Sequence, residues 1–285
     1  LSRGVTLNCQ LPIYAGGPGS GGFLAFPAGT FQPDPRSAVT VPAGTARPMM
    51  GYSDWFGTTY DSAYSKWLPV PYAWVSPDGM RYAYPGADGI YVQNVANGSH
   101  LVLGAGKVWS VLDVEAVGVY ATTGSTGGLW LLPFSGDVKQ VTSSGYWQAV
   151  NKTAAYGMST SQVPGGVANT IIKLDLSTGA VSDWFTSPGF NSWVTGFDFK
   201  GNAVVTTSAF NRAEYSSGIW ITIAPNRGYL ISISNGNYGL NVNGTPIADS
   251  HGLWFSSGQG FALYAPDGTW HWVSGIGGQL AGGCR

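Results

Sequence analysis

The sequence predicts an all-β fold built from six copies of one small unit. Three observations carry the prediction. First, residues 128–142 (GLWLLPFSGDVKQVT) read as a β-hairpin: a short apolar run, a Ser135-Gly136 turn, then a run alternating apolar with polar. The outline returns at 22–35 (GFLAFPAGTFQPDP), 89–103, 170–186, 218–232 and 260–274. Recurrence of this kind marks a repeat in which each unit leaves an apolar face open until its neighbours cover it. Second, the chain of 285 residues carries 43 Gly, 17 Pro, 12 Trp, 15 Tyr and 12 Phe, the composition of short strands and tight turns. Third, no amphipathic run is long enough for a substantial helix, and no apolar run approaches the roughly 20 residues of a membrane helix.

Taken in order, residues 8–15 (NCQLPIYA) form a first strand, and 16–22 (GGPGSGG) a flexible connection into the first hairpin. The opening unit therefore has three strands. Its fourth comes from 276–284 (IGGQLAGGC), which follows the last hairpin without a partner of its own, so the terminal strand closes the repeat in a one-plus-three arrangement. That pairing brings Cys9 and Cys284 to adjacent strand ends, within the roughly 4.4–6.8 Å that a disulfide needs between Cα atoms. A persistent bond implies an oxidising compartment.

Turn glycines Gly29 and Gly98 lie 69 residues apart, whereas the later ones (Gly98, Gly136, Gly179, Gly228, Gly268) are spaced by 38 to 49. The excess is an insertion at about 36–67, rich in Met, Tyr and Trp, whose Trp55, Tyr60 and Trp67 are expected to be partly exposed and to form a lid. The remaining first strands are 72–79, 109–118, 146–153, 193–201 and 246–252. Aligned on the turns that follow them, Ser76, Glu115, Asn151, Asp198 and Asp249 fall at one position, each able to accept from the turn backbone. Second strands follow at 81–84, 118–122, 154–158, 202–207 and 252–257. Four strands in each of six units is the inventory of a six-bladed β-propeller, read as one domain over 1–285.

The W-V-S-P-D-G turn at 74–79, the G-[LI]-W hairpins and the terminal strand exchange resemble secreted bacterial six-bladed propellers of the TolB-like and gluconolactonase-like architecture. The resemblance covers essentially the whole chain and implies the fold. It implies no specific activity, because no catalytic or metal-binding signature of a propeller enzyme maps onto these positions.

Charge narrows the functions. With 13 basic and 14 acidic residues, net −1, there is no basic stripe for nucleic acid; a surface made polar by uncharged groups suits an exported protein that meets neutral polymers. The chain begins at Leu1, read as a mature, secreted form. The histidines have no zinc-ligand spacing, no G-x-S-x-G elbow occurs, and no transition metal or other cofactor is expected; backbone carbonyls and scattered Asp leave calcium open, although no Asp-rich loop offers it. Among the carboxylates, Glu115, Asp198 and Asp249 read as turn caps. Asp113 differs, its counterparts being Trp74, Ala149, Gly196 and Ile247. It faces the same side as Glu115 and is the candidate acid or base of a carbohydrate-active hydrolase or lyase, with Glu115 or Asp61 assisting. Trp74, Trp109, Trp147 and Trp193, near the starts of first strands, are read either as packing between units or, with Gln148 and the insert's Trp55, Tyr60 and Trp67, as a stacking site for a glycan at the channel mouth.

Three functions follow: a secreted non-enzymatic propeller that binds a glycan or cell-surface polymer, which is preferred; an extracellular carbohydrate-active hydrolase or lyase; and a structural subunit of an extracellular assembly, joined to protein partners or to copies of itself. Asn97, Asn151 and Asn243 head N-x-[ST] sequons, the first and last in ordinary turn sequences.

Overall fold

A computed structural model describes residues 6–16, 19–40, 57–124, 127–163, 166–209, 216–235, 244–257 and 260–285. The described chain is all-β apart from two single-turn 3-10 segments. It divides into two compact units, Thr6–Gly145 with Gly278–Arg285, and Tyr146–Gly277.

In the first unit, β1 (Gln10–Tyr14), β2 (Gly21–Ala25) and β3 (Thr30–Pro33) form a meander. Leu11, Ile13 and Leu24 are almost completely buried, whereas β3 is largely exposed, the gradient expected from a covered to an outer strand. The insertion contributes the hairpin β4 (Thr59–Asp61) and β5 (Lys66–Leu68), a regular element in a stretch whose sequence shows little periodicity. A meander of β6 (Arg81–Pro85), β7 (Ile90–Asn94) and β8 (His100–Leu103) follows, then a four-stranded sheet of β9 (Ser110–Glu115), β10 (Gly118–Thr122), β11 (Leu129–Pro133) and β12 (Lys139–Thr142).

The second unit contains three four-stranded meanders. They are β13 (Tyr146–Val150), β14 (Ala154–Val163), β15 (Gly166–Asp175) and β16 (Val181–Thr186); β17 (Phe190–Phe197), β18 (Ala203–Ala209), β19 (Ser216–Ala224) and β20 (Arg227–Asn235); and β21 (Ile247–Asp249), β22 (Gly252–Ser257), β23 (Gly260–Tyr264) and β24 (Trp270–Ser274). Finally β25 (Gln279–Leu280) pairs antiparallel with β1, Ile13 opposite Leu280 and Tyr14 opposite Gln279. The one-plus-three sheet is thus present, and the six sheets other than the β4–β5 hairpin are the blades of a six-bladed β-propeller.

The clasp forms as expected: Cys9 and Cys284 are bonded, with Cα atoms 5.6 Å apart. Beside it Gln10 and Arg285 exchange backbone hydrogen bonds of 2.9 and 3.1 Å, continuing the ladder past β25.

The expected strand at 72–79 is absent. A 3-10 turn occupies Tyr72–Trp74, and a lone bridge between Val75 and Tyr82 is all that remains of that blade's first strand. Pro69, Pro71 and Pro77 strip backbone donors from the stretch, so a continuous ladder is unavailable to it. The turn itself is capped as predicted, Ser76 Oγ accepting from Arg81 N at 2.9 Å. Asn151 Oδ1 accepts from Ala154 N (2.9 Å), Asp198 Oδ1 from Asn202 N (2.8 Å) and Asp249 Oδ1 from His251 N (2.7 Å).

In the first unit the core gathers Leu68, Val70, Trp74, Ile90, Val92, Trp109, Val114 and Leu132; in the second, Tyr156, Ile171, Trp184, Phe185 and Val205 form one cluster, and Val204, Ile221, Leu253 and Phe255 another. Leu68 and Val70 come from the insert's hairpin and the residues after it; the others are apolar positions of the recurring hairpins and of the segments before them.

Candidate functional site

Asp113 and Glu115 are two residues apart on β9, so strand alternation turns both to one face. Asp113 stands opposite Tyr120 on β10, and the register then slips: Val111 pairs with Ala121, leaving Leu112 bulged. Two other blades bulge at the matching residue, Gln148 in β13 and Thr195 in β17. A bulge bends its strand and re-aims the adjoining side chains, and here the residue beyond it is Asp113, Ala149 or Gly196. Only the first places a carboxyl there.

Glu115 is buried, and Asp113 keeps partial solvent access while dense surroundings enclose its carboxyl. Burial, followed by the charge of Glu115, pushes the Asp113 carboxyl well above the ordinary carboxylate range; a hydrogen bond to Glu115 acts in the same direction, and one from the backbone N–H of Val114 opposes it. The protonated form of Asp113 is therefore favoured. The neighbouring Tyr120 hydroxyl is pushed up by burial and then by the two carboxyls. Chemically this is a carboxyl whose neutral form is favoured by burial, beside a second carboxyl. Among the described residues no third carboxylate, histidine or cysteine joins the pair, which leaves it short of a transition-metal ligand set.

Asp61 belongs to a different environment. It is buried on β4, its Oδ1 accepts from Ala63 N at 2.9 Å, and its Oδ2 has no partner among the described residues. Burial raises its pKa, and its charged neighbours are Asp78 and Lys66 rather than Asp113.

The indoles separate by burial. Trp74, Trp109 and Trp147 are buried, Trp109 donating from Nε1 to Gly104 O at 2.7 Å and meeting Trp130 edge-on. Trp193 is half-buried, and Gln148 uses Oε1 to accept from Val194 N at 3.0 Å, tying β13 to the next blade. Trp55 lies outside the described residues. Tyr60 and Trp67, expected to be partly exposed, are 4 % and 5 % accessible. The reason is local: they pack edge-on to each other and against Phe23, Trp67 Nε1 donates to Asp34 Oδ2 at 3.0 Å, and the Arg285 guanidinium lies 4.4 Å from the Tyr60 ring centre. The insert's hairpin thereby seals the clasped end of the first blade instead of forming an exposed lid.

One edge of Trp67 nevertheless reaches an open cleft of 510 Å3 within the first unit. Its walls come from Val39 and Thr40, from β5 with Pro69, and from Tyr82, Gln93 and the 94–98 turn. Tyr82 donates its hydroxyl to Gln93 Oε1, and burial pushes its pKa up to about 12. Lys66, the lone cationic side chain among the lining residues, donates from Nζ to Val95 O at 2.7 Å. The remaining polar lining is amide and hydroxyl. Sequence reasoning missed this cleft because its walls come from four segments that are scattered along the chain and share no motif.

No family model matches the chain, and no curated protein matches it. Among solved structures it is similar to an oligogalacturonate lyase in complex with manganese, at 11% identity over 77% of this chain and 84% of that one, with a TM-score of 0.39.

Proposed function

We propose that the protein is a non-enzymatic binding propeller of an extracellular setting, and that it recognises a neutral glycan or similar uncharged polymer through the cleft of its first unit. The observation that carries this reading is the chemistry of the cleft: Gln93, Asn94, Asn97 and Thr40 line it with uncharged amide and hydroxyl groups, alongside Trp67 and Tyr82. Such a lining matches the alternating hydroxyl and apolar faces of a sugar. The single lysine is engaged with Val95 O, so the cleft makes no strong demand for an anion.

A glycan-array screen followed by titration tests it. A saturable hit that Gln93→Ala weakens roughly tenfold, the worth of about one lost hydrogen bond, and that salt leaves unchanged, supports the reading. Silence across the array, or binding indifferent to Gln93→Ala, overturns it.

The hydrogen-bonded pair favours a second reading, a carbohydrate-active hydrolase or lyase in which Asp113 is the general acid and Glu115 the charged partner. Release of reducing ends or unsaturated products from a polysaccharide, abolished by Asp113→Asn, would support it. A bound glycan recovered intact after long incubation would remove it.

A further inference from the structure

We propose that Asn97 is an acceptor for N-linked glycosylation in the folded protein. Asn97-Gly98-Ser99 is a sequon at the tip of the β7–β8 hairpin, where residues 96–100 are all exposed. The tip is rigid. Asn94 N donates to Ser99 O and Gly98 N to Asn94 O, while Asn94 Oδ1 accepts from the backbone of Ala96 and Asn97. On this platform Asn97 Oδ1 accepts from Ser99 N at 2.9 Å and from Ser99 Oγ at 2.7 Å. Two donors on the carbonyl oxygen fix the carboxamide in one orientation and polarise it, and Nδ2 has no partner among the described residues, so it faces solvent.

Asn151 heads a second sequon with the opposite geometry. It is half-buried, its Nδ2 donates to Gly201 O at 3.0 Å across to the next blade, and its Oδ1 serves the turn backbone. Modifying Asn151 would break that bond and force a sugar between two blades. The fold therefore separates two motifs that share the N-x-[ST] pattern. Asn243 lies outside the described residues.

The reaction is a displacement at the anomeric carbon of a diphosphate-activated sugar. The Asn97 Nδ2–carbon bond forms, the carbon–oxygen bond to phosphate breaks, the diphosphate leaves with the bonding pair, and the proton lost from Nδ2 passes to a carboxylate of the transferase. Because the 94–98 turn is one wall of the cleft, a glycan at Asn97 would stand at its rim.

The test uses the intact, disulfide-bonded protein with a sequon-specific soluble N-glycosyltransferase and a nucleotide-diphosphate hexose, read by peptide mass. The expected result is hexose on the Asn97 peptide at roughly ten times the rate on the Asn151 peptide, the cost of the one bond Asn151 must give up, with loss of Asn97 modification in Ser99→Ala and Asn97→Gln. Reduction and denaturation should bring the two sites together. An unmodified Asn97 in the folded protein overturns the proposal whatever the unfolded control shows, and so do equal rates at both sites in the folded protein. The readout is a covalent mass, independent of whether the cleft binds anything.

Discussion

Replacing Asp113 by Asn tests the protonated carboxyl pair through stability alone. The amide is nearly isosteric and can still donate to Glu115, so the native contact survives while the titration is deleted. In the wild type the folded state holds the Asp113 proton well above the ordinary value of about 3.9 at which an unfolded chain releases it. Between those two values the folded state binds one proton more than the unfolded state. Unfolding free energy therefore falls as pH rises, at a slope approaching about 1.4 kcal/mol per pH unit for a single proton. The contribution is fully present below the unfolded value and is lost progressively until pH passes the folded one. Asp34 has the opposite character: hydrogen bonding to Arg36 holds it at about 2, so its contribution is present above the unfolded value and lost as pH falls toward 2. It is common to both proteins and cancels in the difference. Guanidinium titrations at stepped pH, from about pH 4 upward, should show Asp113→Asn gaining on the wild type until the folded pKa is passed, with equal m-values. Parallel curves would refute the assignment, and a wild type that gains on the variant would reverse its sign.

Removing the clasp is the second test. The bond closes a separation of 275 residues, for which chain entropy gives a stabilisation of up to about 5 kcal/mol; in Cys9→Ser with Cys284→Ser the short β25 ladder, the backbone bonds of Gln10 with Arg285 and of Ala281 with Pro12 and Tyr60, and the packing of Ala281 and Arg285 are left to hold the terminal strand. Denaturant midpoints should drop sharply and become indifferent to reductant, and an unchanged midpoint would show that the strand exchange needs no covalent help. A pair of glycines separates backbone strain from steric clash. Gly128 has φ +72°, and a Cβ there would meet Thr142 O at 2.0 Å, whereas Gly136 has φ +94° with nothing within 4 Å. Gly136→Ala should cost about 1–2 kcal/mol from the left-handed conformation and Gly128→Ala clearly more; equal losses would mean that the β11–β12 edge yields freely.

Most of the fold was legible because it repeats. Four of the six hairpins appear within a residue or two of the range their turn glycine and alternation mark, the other two running three or four residues longer at one end, and the closing strand pairs with the opening one as its lack of another partner requires. Legibility failed where local rules compete. In 72–79 the apolar run and the S-P-D-G turn matched the other units, but Pro69 and Pro71 just before it and Pro77 within it deny the backbone the donors of a strand. In the insert, aromatic content with little periodicity signalled exposed function, whereas Tyr60 and Trp67 found partners in Phe23, Asp34 and Arg285, residues far away in sequence. Large aromatics bury whenever such partners are within reach, and reach is a tertiary property.

The carboxyl pair was legible only as a deviation, and the cleft was not legible at all. Against a repeated background, Asp113 stood out because its counterparts are Trp74, Ala149, Gly196 and Ile247, and strand alternation placed it beside Glu115. The alignment also assigned Glu115 to turn capping, and here side-chain length matters. A carboxylate one methylene longer than Asp198 or Asp249 reaches back along the strand to the group two residues earlier, so the capping position becomes half of an acid pair. Neither residue alone predicts this, and spacing does not encode the bulge at Leu112 that sets their register against Tyr120. The same bulge, repeated at Gln148 and Thr195, directs a strut to Val194 N in one blade and a hydroxyl to Val204 O in another. One backbone device thus serves packing in two blades and, where the next residue is a carboxylic acid, sets a carboxyl beside Glu115 in a third.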